Sequence, residues 1–576
     1  MRYAQTSHVE PHRYPEGNAL CTLCTQLWEQ FLSAPPSLIA CDTETNNLEE
    51  RKLIGIGVAI SATDSFYITA DDPDLERLLN ILRSPSIAKV WHNTVFDLRV
   101  LRKYYVDCSN VDDTAIMARI IGREASLEHW GYDIGREIYS AKAMMEQWSI
   151  KIHGTAGKIR NMTDLPQATV ALKCLNDCEA TYILYHHLKP KVNQAYYAVE
   201  RQLIPVLETM SQKGIRLDPQ RRDELEVYYT KEVNWSRNEC EGKFGFNPAS
   251  PAQVGMALAK RGNFLPFTRS KTQLATDDAT LRKLSDPIAQ LVLMYRHHAK
   301  MLNTYIRPFA GADRAYTSFH TDAITGRTTS TSAGKADPDR NLQNIPKKVE
   351  LYSKGAAPTI RSMFLPDLGD EEFTRADDSQ IELRVLAHLS RDQRMLSIFL
   401  DPRGDLHKDT AIAMGLSREF AKTFNYAVVY NADPWTVADN TGISDVGRVR
   451  RYMDIWMKPY PGAARWMELQ KLEGMRLGYV ESLYGRRLTI PVDKGEKHAQ
   501  NCCINYPIQT TAGEIFKRQL LAIKFAVGPE WERIRLQIHD EGLFTGHVDL
   551  PSGLEHVSPV YTPVNVAYVK HWDDNE

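Results

Sequence analysis

Short apolar runs alternate with helix-like stretches over the first third of the chain. Residues 38–41, 53–60, 65–68 and 88–91 read as strands, and residues 95–104 carry apolar side chains at a helical period. A helix over residues 169–188 closes this stretch, and Lys189-Pro190-Lys191 then breaks the pattern. Strands and helices in alternation predict an α/β module. From about Ala198 the pattern lengthens into helices over 199–213 and 223–244, before short strands appear near 363–365 and 372–373, which predicts an α+β body. With no internal repeat and no low-complexity tract, the chain reads as a multidomain protein with one module over residues 1–195 and a larger one over 196–576.

Length supports this division, because 576 residues leave room for about three or four cores at roughly 150 residues each. The formal net charge of -2 advertises no polyanion partner, so any nucleic-acid site must be a local basic surface. Nine cysteines, an odd number without a secretory leader, predict free thiols in a reducing compartment. Cys21 and Cys24 have metal-like spacing, but no second Cys/His pair follows, so they read as a helix face and not as a zinc site. No apolar run approaches the roughly 20 residues of a membrane span. The chain is therefore expected to be cytoplasmic and away from membranes.

Candidate chemistry begins with Asp42 and Glu44, which follow the first strand with one residue between them, so that both side chains leave on the same side. Two like charges aimed together favour a cation. Asp97 ends the stretch His92-Asn93-Thr94-Val95-Phe96-Asp97 at a strand-to-helix junction, and Asp177 lies on a helix expected to bury Leu172, Leu175 and Tyr182. Each alone reads as an N-cap or a solvated charge. Together they resemble the four acidic residues of the proofreading domains of DNA polymerases, over roughly residues 35–190. The resemblance implies an RNase H-like 3′-5′ exonuclease domain in which Asp42, Glu44, Asp97 and Asp177 hold two Mg²⁺ ions, with Mn²⁺ as a substitute. Lys173 departs from that pattern, since the family carries a tyrosine four residues before the last aspartate to position the attacking water. A protonated lysine is a poor orienting base, and Lys173 reads equally as a surface residue or as part of the site.

In the larger module, Ala376-Asp377-Asp378-Ser379-Gln380-Ile381-Glu382-Leu383-Arg384 ends a strand with carboxylates and runs into an amphipathic helix. Read alone, Ser379 and Glu382 make a capping box. Arg418, Lys422, Tyr426 and Tyr430 follow at four-residue spacing, a helical stripe about 18 Å long with a basic end suited to a triphosphate and an aromatic end suited to sugar and base. Gln537-Ile538-His539-Asp540-Glu541 then sits in a hairpin-like stretch, whose alternation sends Arg535, Gln537 and His539 one way and presents Asp540 and Glu541 at the turn.

These three blocks, in this order, resemble family A DNA polymerases. Thr325-Gly326-Arg327, Asn341-Leu342-Gln343-Asn344-Ile345-Pro346, Tyr460-Pro461-Gly462 and Asn505-Tyr506-Pro507-Ile508-Gln509 extend the match. The resemblance implies a right-hand architecture, with thumb at about 218–315, palm at about 316–395 and 481–576, and fingers at about 396–480. It implies two Mg²⁺ ions on Asp377 and Asp540, with Glu541 and Lys422 also catalytic. Arg418, Lys422, Tyr426, Tyr430, Glu382, Gln380 and His388 would form the deoxynucleoside triphosphate site, Glu382 closing it against a ribose 2′-hydroxyl. Arg327, Asn505, Gln509 and His539 would contact primer-template DNA. Lys260, Arg261, Arg269 and Lys271 form a basic stretch in the thumb region, suited to phosphates or to solvent. Three positions depart from the family: Asp378 stands where an aromatic residue is usual, and Ala427 and Asn431 stand where glycines are usual. Asp378 reads as a solvent-facing acid or as a perturbing charge beside Asp377.

The implied protein is a monomeric, template-dependent polymerase with 3′-5′ proofreading. Only 41 residues precede Asp42, so no 5′-nuclease is expected, and such compactness is compatible with a phage replicase in a host cytoplasm. A helicase or processivity partner is not legible. Two other readings are a stand-alone 3′ exonuclease with a degenerate body and a non-catalytic DNA-binding protein.

Overall fold

Six strands build the sheet of the first module: β1 (Arg2–Gln5), β2 (Leu38–Thr45), β3 (Leu53–Ala59), β4 (Ser65–Thr69), β5 (Ala88–Trp91) and β6 (Val111–Asp113), in the order β1-β4-β3-β2-β5-β6. The structure is a computed structural model that describes residues 2–5, 21–48, 50–106, 109–268, 270–321, 323–331, 340–347, 358–401, 403–443 and 445–573. β2 is central, antiparallel to β3 and parallel to β5. It does not stop at Cys41, as the apolar run suggested, but continues through both carboxylates, because Asp42 and Glu44 stay paired to Gly57 and Gly55 of β3. Helix α1 (Thr94–Leu101) starts immediately after β5, and α2 (Gln167–Leu188) lies across β2 and β3. Gly57 makes that approach possible, since a Cβ there would stand 2.7 Å from Cys174 Sγ and 2.8 Å from Cys178 Sγ. The face α2 buries is therefore Cys174, Leu175, Cys178 and Leu184, while Leu172 and Tyr182 are only half-buried.

Two long helices follow, α3 (Gln194–Lys213) and α4 (Pro219–Phe244). Asn193 and Asp218 cap them through side-chain oxygens, which is why they begin several residues before the apolar periodicity does. The second sheet is antiparallel, with β7 (Phe373–Asp378), β8 (Ile534–Ile538), β9 (Glu541–Thr545) and β10 (Val564–Val569) in the order β8-β9-β7-β10. Against it or beside it stand α5 (Ile381–Ser390), α6 (Arg418–Val429) and the 31-residue α7 (Glu496–Ala526).

One hydrophobic core runs without interruption from Trp28 and Ile39 through Leu203 and Ile306 to Phe544 and Trp572, so the two sheets share a single packed interior through α3. Within that seam Lys517 of α7 donates to both carboxylate oxygens of Glu200 of α3 at 2.6 and 2.8 Å. A second core around Phe424, Val449 and Trp456 supports α6, and a third around Phe246, Leu258 and Leu293 belongs to the α4 region. Cys21 and Cys24 fall in a helix over Cys21–Ser33, and their side chains lie outside the described residues. Cys41, Cys174, Cys178, Cys240, Cys502 and Cys503 are buried free thiols. No helix among the described residues is long and apolar enough to cross a membrane.

Candidate active sites

β2 carries Asp42 and Glu44 to one side of the first sheet, where they meet α2. Ligand atoms of Asp42, Glu44 and Cys174 lie within 4.8 Å of one another. Asp97, in the first turn of α1, points to the same strand: its Oδ1 accepts from Thr43 N at 2.9 Å and from Thr43 Oγ1 at 2.7 Å. Lys173 is not a surface residue. Its ammonium donates to Glu44 Oε1 at 2.7 Å and to Asp177 Oδ2 at 2.8 Å, with 13% of its side chain exposed. Burial raises the pKa of Asp42, Glu44 and Asp177, with the Lys173 charge opposing it, and burial carries that of Asp97 to about 7. Asp42 Oδ2 and Asp177 Oδ1 are buried without a hydrogen-bond partner. Hard carboxylate oxygens left unpaired in this way fit a divalent cation, although the ammonium already compensates part of the cluster. The cluster opens into a cleft of about 730 Å³ whose walls include His92, Arg119 and Glu128 from the first module and Ile324, Arg486 and Arg487 from the second.

In the second sheet, β7 pairs with β9 so that Asp377 faces Glu541, and the backbone carbonyl of Asp540 accepts from Asp378 N at 3.1 Å. Asp377 and Asp540 are thereby brought together at the strand ends. Burial, then the charge of Glu541, raises the Asp377 pKa to about 6; burial, then the charge of Asp377, raises that of Asp540 to about 7. Two carboxylates that repel each other in a partly desolvated cleft fit a divalent cation. The hairpin turn is not at Asp540 and Glu541 as expected, but at His539 and Asp540, with Glu541 opening β9. Ile538 pairs with Glu541, which leaves His539 and Asp540 as a two-residue turn; a register shift between Ile534 and Leu536 lies at the far end of the hairpin, beside buried Arg535, whose guanidinium binds Asp367 at 2.7 Å. Glu541 is buried, accepts from Trp572 Nε1 at 2.9 Å and stands 3.8 Å from Arg361.

Asp378 does not face solvent. It is 4% exposed, accepts from Gln519 Nε2 at 2.9 Å, and burial raises its pKa well above the usual range. Adjacent residues on a strand point to opposite faces, so Asp377 enters the cleft and Asp378 the interior beneath α7. Ser379 caps nothing: the N-cap of α5 is Gln380, in the left-handed region at φ 55°. Glu382 is instead held by Arg327 and by the Tyr430 hydroxyl.

Arg418, Lys422 and Tyr426 share the outer stripe of α6, and Tyr430 is its C-cap. Lys422 is exposed, and its charge acts on Asp377. Tyr426 feels the charges of Glu382, Asp540 and Asp377, which together with burial raise its pKa. Arg418 is ion-paired to Asp405 at 2.6 Å. Asn431, where a glycine is usual, has φ 55° and donates to Asn501 at 2.8 Å, so asparagine supplies the left-handed residue that ends this helix. Ala427 is buried in the same core.

Asn505, Gln509 and Gly513 form one face of α7. Gln509 hydrogen-bonds Tyr430, Asn505 Oδ1 is buried without a partner, and a Cβ on Gly513 would lie 3.2 Å from Arg327 Cγ. His539, exposed at the turn, feels the Arg327 charge. Gln380 and His388 stand apart from this face. Gln380 uses its side chain to accept from Leu406 N at 3.1 Å, fixing the loop before the helix Leu406–Met414. His388 lies in the last turn of α5, about 120° around the helix from Glu382, with its pKa lowered by burial and Arg391. In the basic stretch after α4, Arg261 pairs with Asp286 at 2.8 Å, Lys260 and Lys271 are exposed, and Arg269 lies outside the described residues.

Sequence reasoning missed Cys174, Thr43 and Lys347, the last of which opposes the pKa rise of Asp377. It also missed His407 and Asn425, which hydrogen-bond at 2.9 Å beneath Tyr426 while Asn425 accepts from Trp456. Cys174 had one signal, a place three residues before Asp177 on the same helix.

Two acidic centres thus stand on one two-module fold, one on a six-stranded α/β sheet and one on an antiparallel sheet flanked by a cationic helix. The POL domain of Pol1 from M. smegmatis, solved in complex with DNA primer-template and dNTP, shares that fold with a TM-score of 0.74 over 95% of this chain and 97% of that one, at 21% identity. Residues 222–550 match the model of DNA polymerase family A and residues 21–193 that of a 3′-5′ exonuclease. The chain belongs to DNA polymerase family A. DNA polymerase I of Synechocystis is 28% identical over 564 residues, covering 88% of this chain and 56% of that protein. The thermostable DNA polymerase I of Thermus filiformis is 32% identical over 384 residues, covering 62% and 44%. The chain thus spans about half the length of the curated relatives it matches.

Proposed function

We propose that this chain extends a primer 3′-hydroxyl with deoxynucleoside triphosphates under the direction of a template, and that its N-terminal module removes nucleotides from 3′ ends. The observation that carries the reading is the convergence of Asp377 and Asp540 at two strand ends facing Lys422 and Tyr426. Divalent cations held by Asp377 and Asp540, Mg²⁺ in the first instance, would lower the pKa of the primer hydroxyl and neutralise the leaving pyrophosphate. The chain's own side chains do the rest. Exposed Lys422 offers a point charge to the triphosphate, and Arg418 joins it on leaving Asp405. Tyr426 and Tyr430 flank sugar and base, and Glu382, fixed by Arg327 and Tyr430, crowds the 2′ position. Gln509, Asn505, Arg327 and His539 present donors to minor-groove acceptors, which lie at similar places in every Watson-Crick pair and so report geometry without reading sequence.

In the N-terminal module Asp42, Glu44, Asp97 and Asp177 would hold divalent cation for hydrolysis, and Arg119 and Arg487 line the cleft where a single-stranded 3′ end would lie. Primer extension by the full chain with and without Mg²⁺ tests the proposal. Metal-dependent extension supports it; shortening of the primer with no extension favours a stand-alone exonuclease, and binding without either favours a non-catalytic protein.

A further inference from the structure

Lys173 sits where a cation belongs. Its ammonium bridges α2 and β2, bonded to Asp177 Oδ2 one turn further along the same helix and to Glu44 Oε1 across the gap. All three side chains are largely withdrawn from solvent, at 13, 13 and 6% exposure for Lys173, Asp177 and Glu44. A buried pair of this kind is not broken at little cost, because separation leaves uncompensated charge on both sides. What remains of the cluster is uneven. Asp97 accepts both hydrogen bonds from Thr43 on Oδ1 alone, whereas Asp42 Oδ2 and Asp177 Oδ1 are buried and unpartnered.

We propose that the Lys173 ammonium takes the place of one of the two divalent cations in this centre, leaving a single divalent ion to be held on the Asp42 side of the cluster. Charge points the same way. Without a bound phosphate, Asp42, Glu44, Asp97 and Asp177 carry four formal negative charges; two divalent ions beside a fixed ammonium would exceed that, whereas one ion and the ammonium stay below it. A second ion would also have to share Glu44 and Asp177 with a positive charge already bonded to both. Lys173 then acts as a resident point charge, present whether or not metal is bound, and hydrolysis depends on one bound ion and not on two.

This inference rests on the reading of these carboxylates as metal ligands, and the test separates the two. The full chain carrying Asp377→Ala and Asp540→Ala, which removes the polymerase-side ligands, is titrated with Mn²⁺ by equilibrium dialysis and electron paramagnetic resonance. The same protein with Asp42→Ala and Glu44→Ala added is the baseline. With Lys173 intact we expect one Mn²⁺ above baseline, with an isolated-ion spectrum; Lys173→Met should bind a second and give a spin-coupled pair. A coupled pair with Lys173 intact overturns the proposal whatever the variant does. So does the absence of a second ion in both Lys173→Met and Lys173→Gln when their melting midpoints match the parent. No Mn²⁺ above baseline in any form refutes the metal-ligand reading itself, and this inference with it.

Discussion

Replacing Asp540 by asparagine should stabilise the metal-free protein at alkaline pH and lose that benefit in acid. The carboxyl is packed at the end of the β8-β9 hairpin, and burial, with Asp377 as the next cause, moves its pKa from 3.8 to about 7. At pH 8 it is ionised in both folded and unfolded chains, so the fold bears the full cost of holding the charge. A rise of that size corresponds to on the order of 4 kcal/mol, an upper bound that water entry and relaxation reduce to about 1–3 kcal/mol. The sign follows from proton uptake: below about pH 7 the folded carboxyl takes a proton while the unfolded one remains charged, and the penalty is gone near pH 4. Thermal unfolding in EDTA should therefore show Asp540→Asn melting roughly 1–3 °C above the parent at pH 8, and the gain should shrink to under half at pH 5. Saturating Mg²⁺ should raise the parent more than the variant, since the cation takes over the compensation. A lower midpoint for Asp540→Asn at pH 8, or an equal gain at both pH values, would refute the reasoning.

Asp42→Ala with Glu44→Ala should abolish degradation of single-stranded 3′ ends while leaving the primer-extension rate within about twofold, because these ligands serve a different sheet; a comparable loss in extension contradicts this. Tyr426→Phe should make the protein reject dideoxynucleotides that it otherwise accepts, because losing a polar partner in a desolvated site costs on the order of 1–3 kcal/mol, roughly 5- to 150-fold in the ratio of incorporation efficiencies; equal ratios would remove this role from Tyr426. Lys517→Met leaves Glu200 buried without its counter-charge and should cost on the order of 3–5 kcal/mol in urea unfolding, most of it recovered when Glu200→Gln is added.

Local pattern revealed much of this molecule. The strand runs, the four-residue stripe of α6 and the same-side placement of Asp42 and Glu44 depend only on backbone periodicity, and each is visible in one short window of sequence. What was hidden depends on partners far away. Asp378 read as a solvent-facing acid or as a charge perturbing Asp377, but β7 lies between β9 and β10 and Asp378 bonds Gln519 of α7, so the side opposite Asp377 is interior. The pairing of Ile538 with Glu541 sets the turn at His539 and Asp540, one position earlier than alternation alone suggests. Lys173 was ambiguous for the same reason: its i,i+4 relation to Asp177 is legible, but Glu44 lies 129 positions away and only folding brings it within reach. The short polar residues Asn193 and Asp218 extended α3 and α4 beyond their apolar faces by capping.

The central claim is that Asp377 and Asp540 form the centre for nucleotide incorporation. Single-turnover addition of one deoxynucleotide to a primer-template, measured for the parent, Asp377→Ala and Asp540→Ala beside the affinity of each for the same DNA, tests it most directly. The account predicts Mg²⁺-dependent addition by the parent, none by either variant, and DNA affinity largely retained in all three. Incorporation that survives in either variant would contradict it.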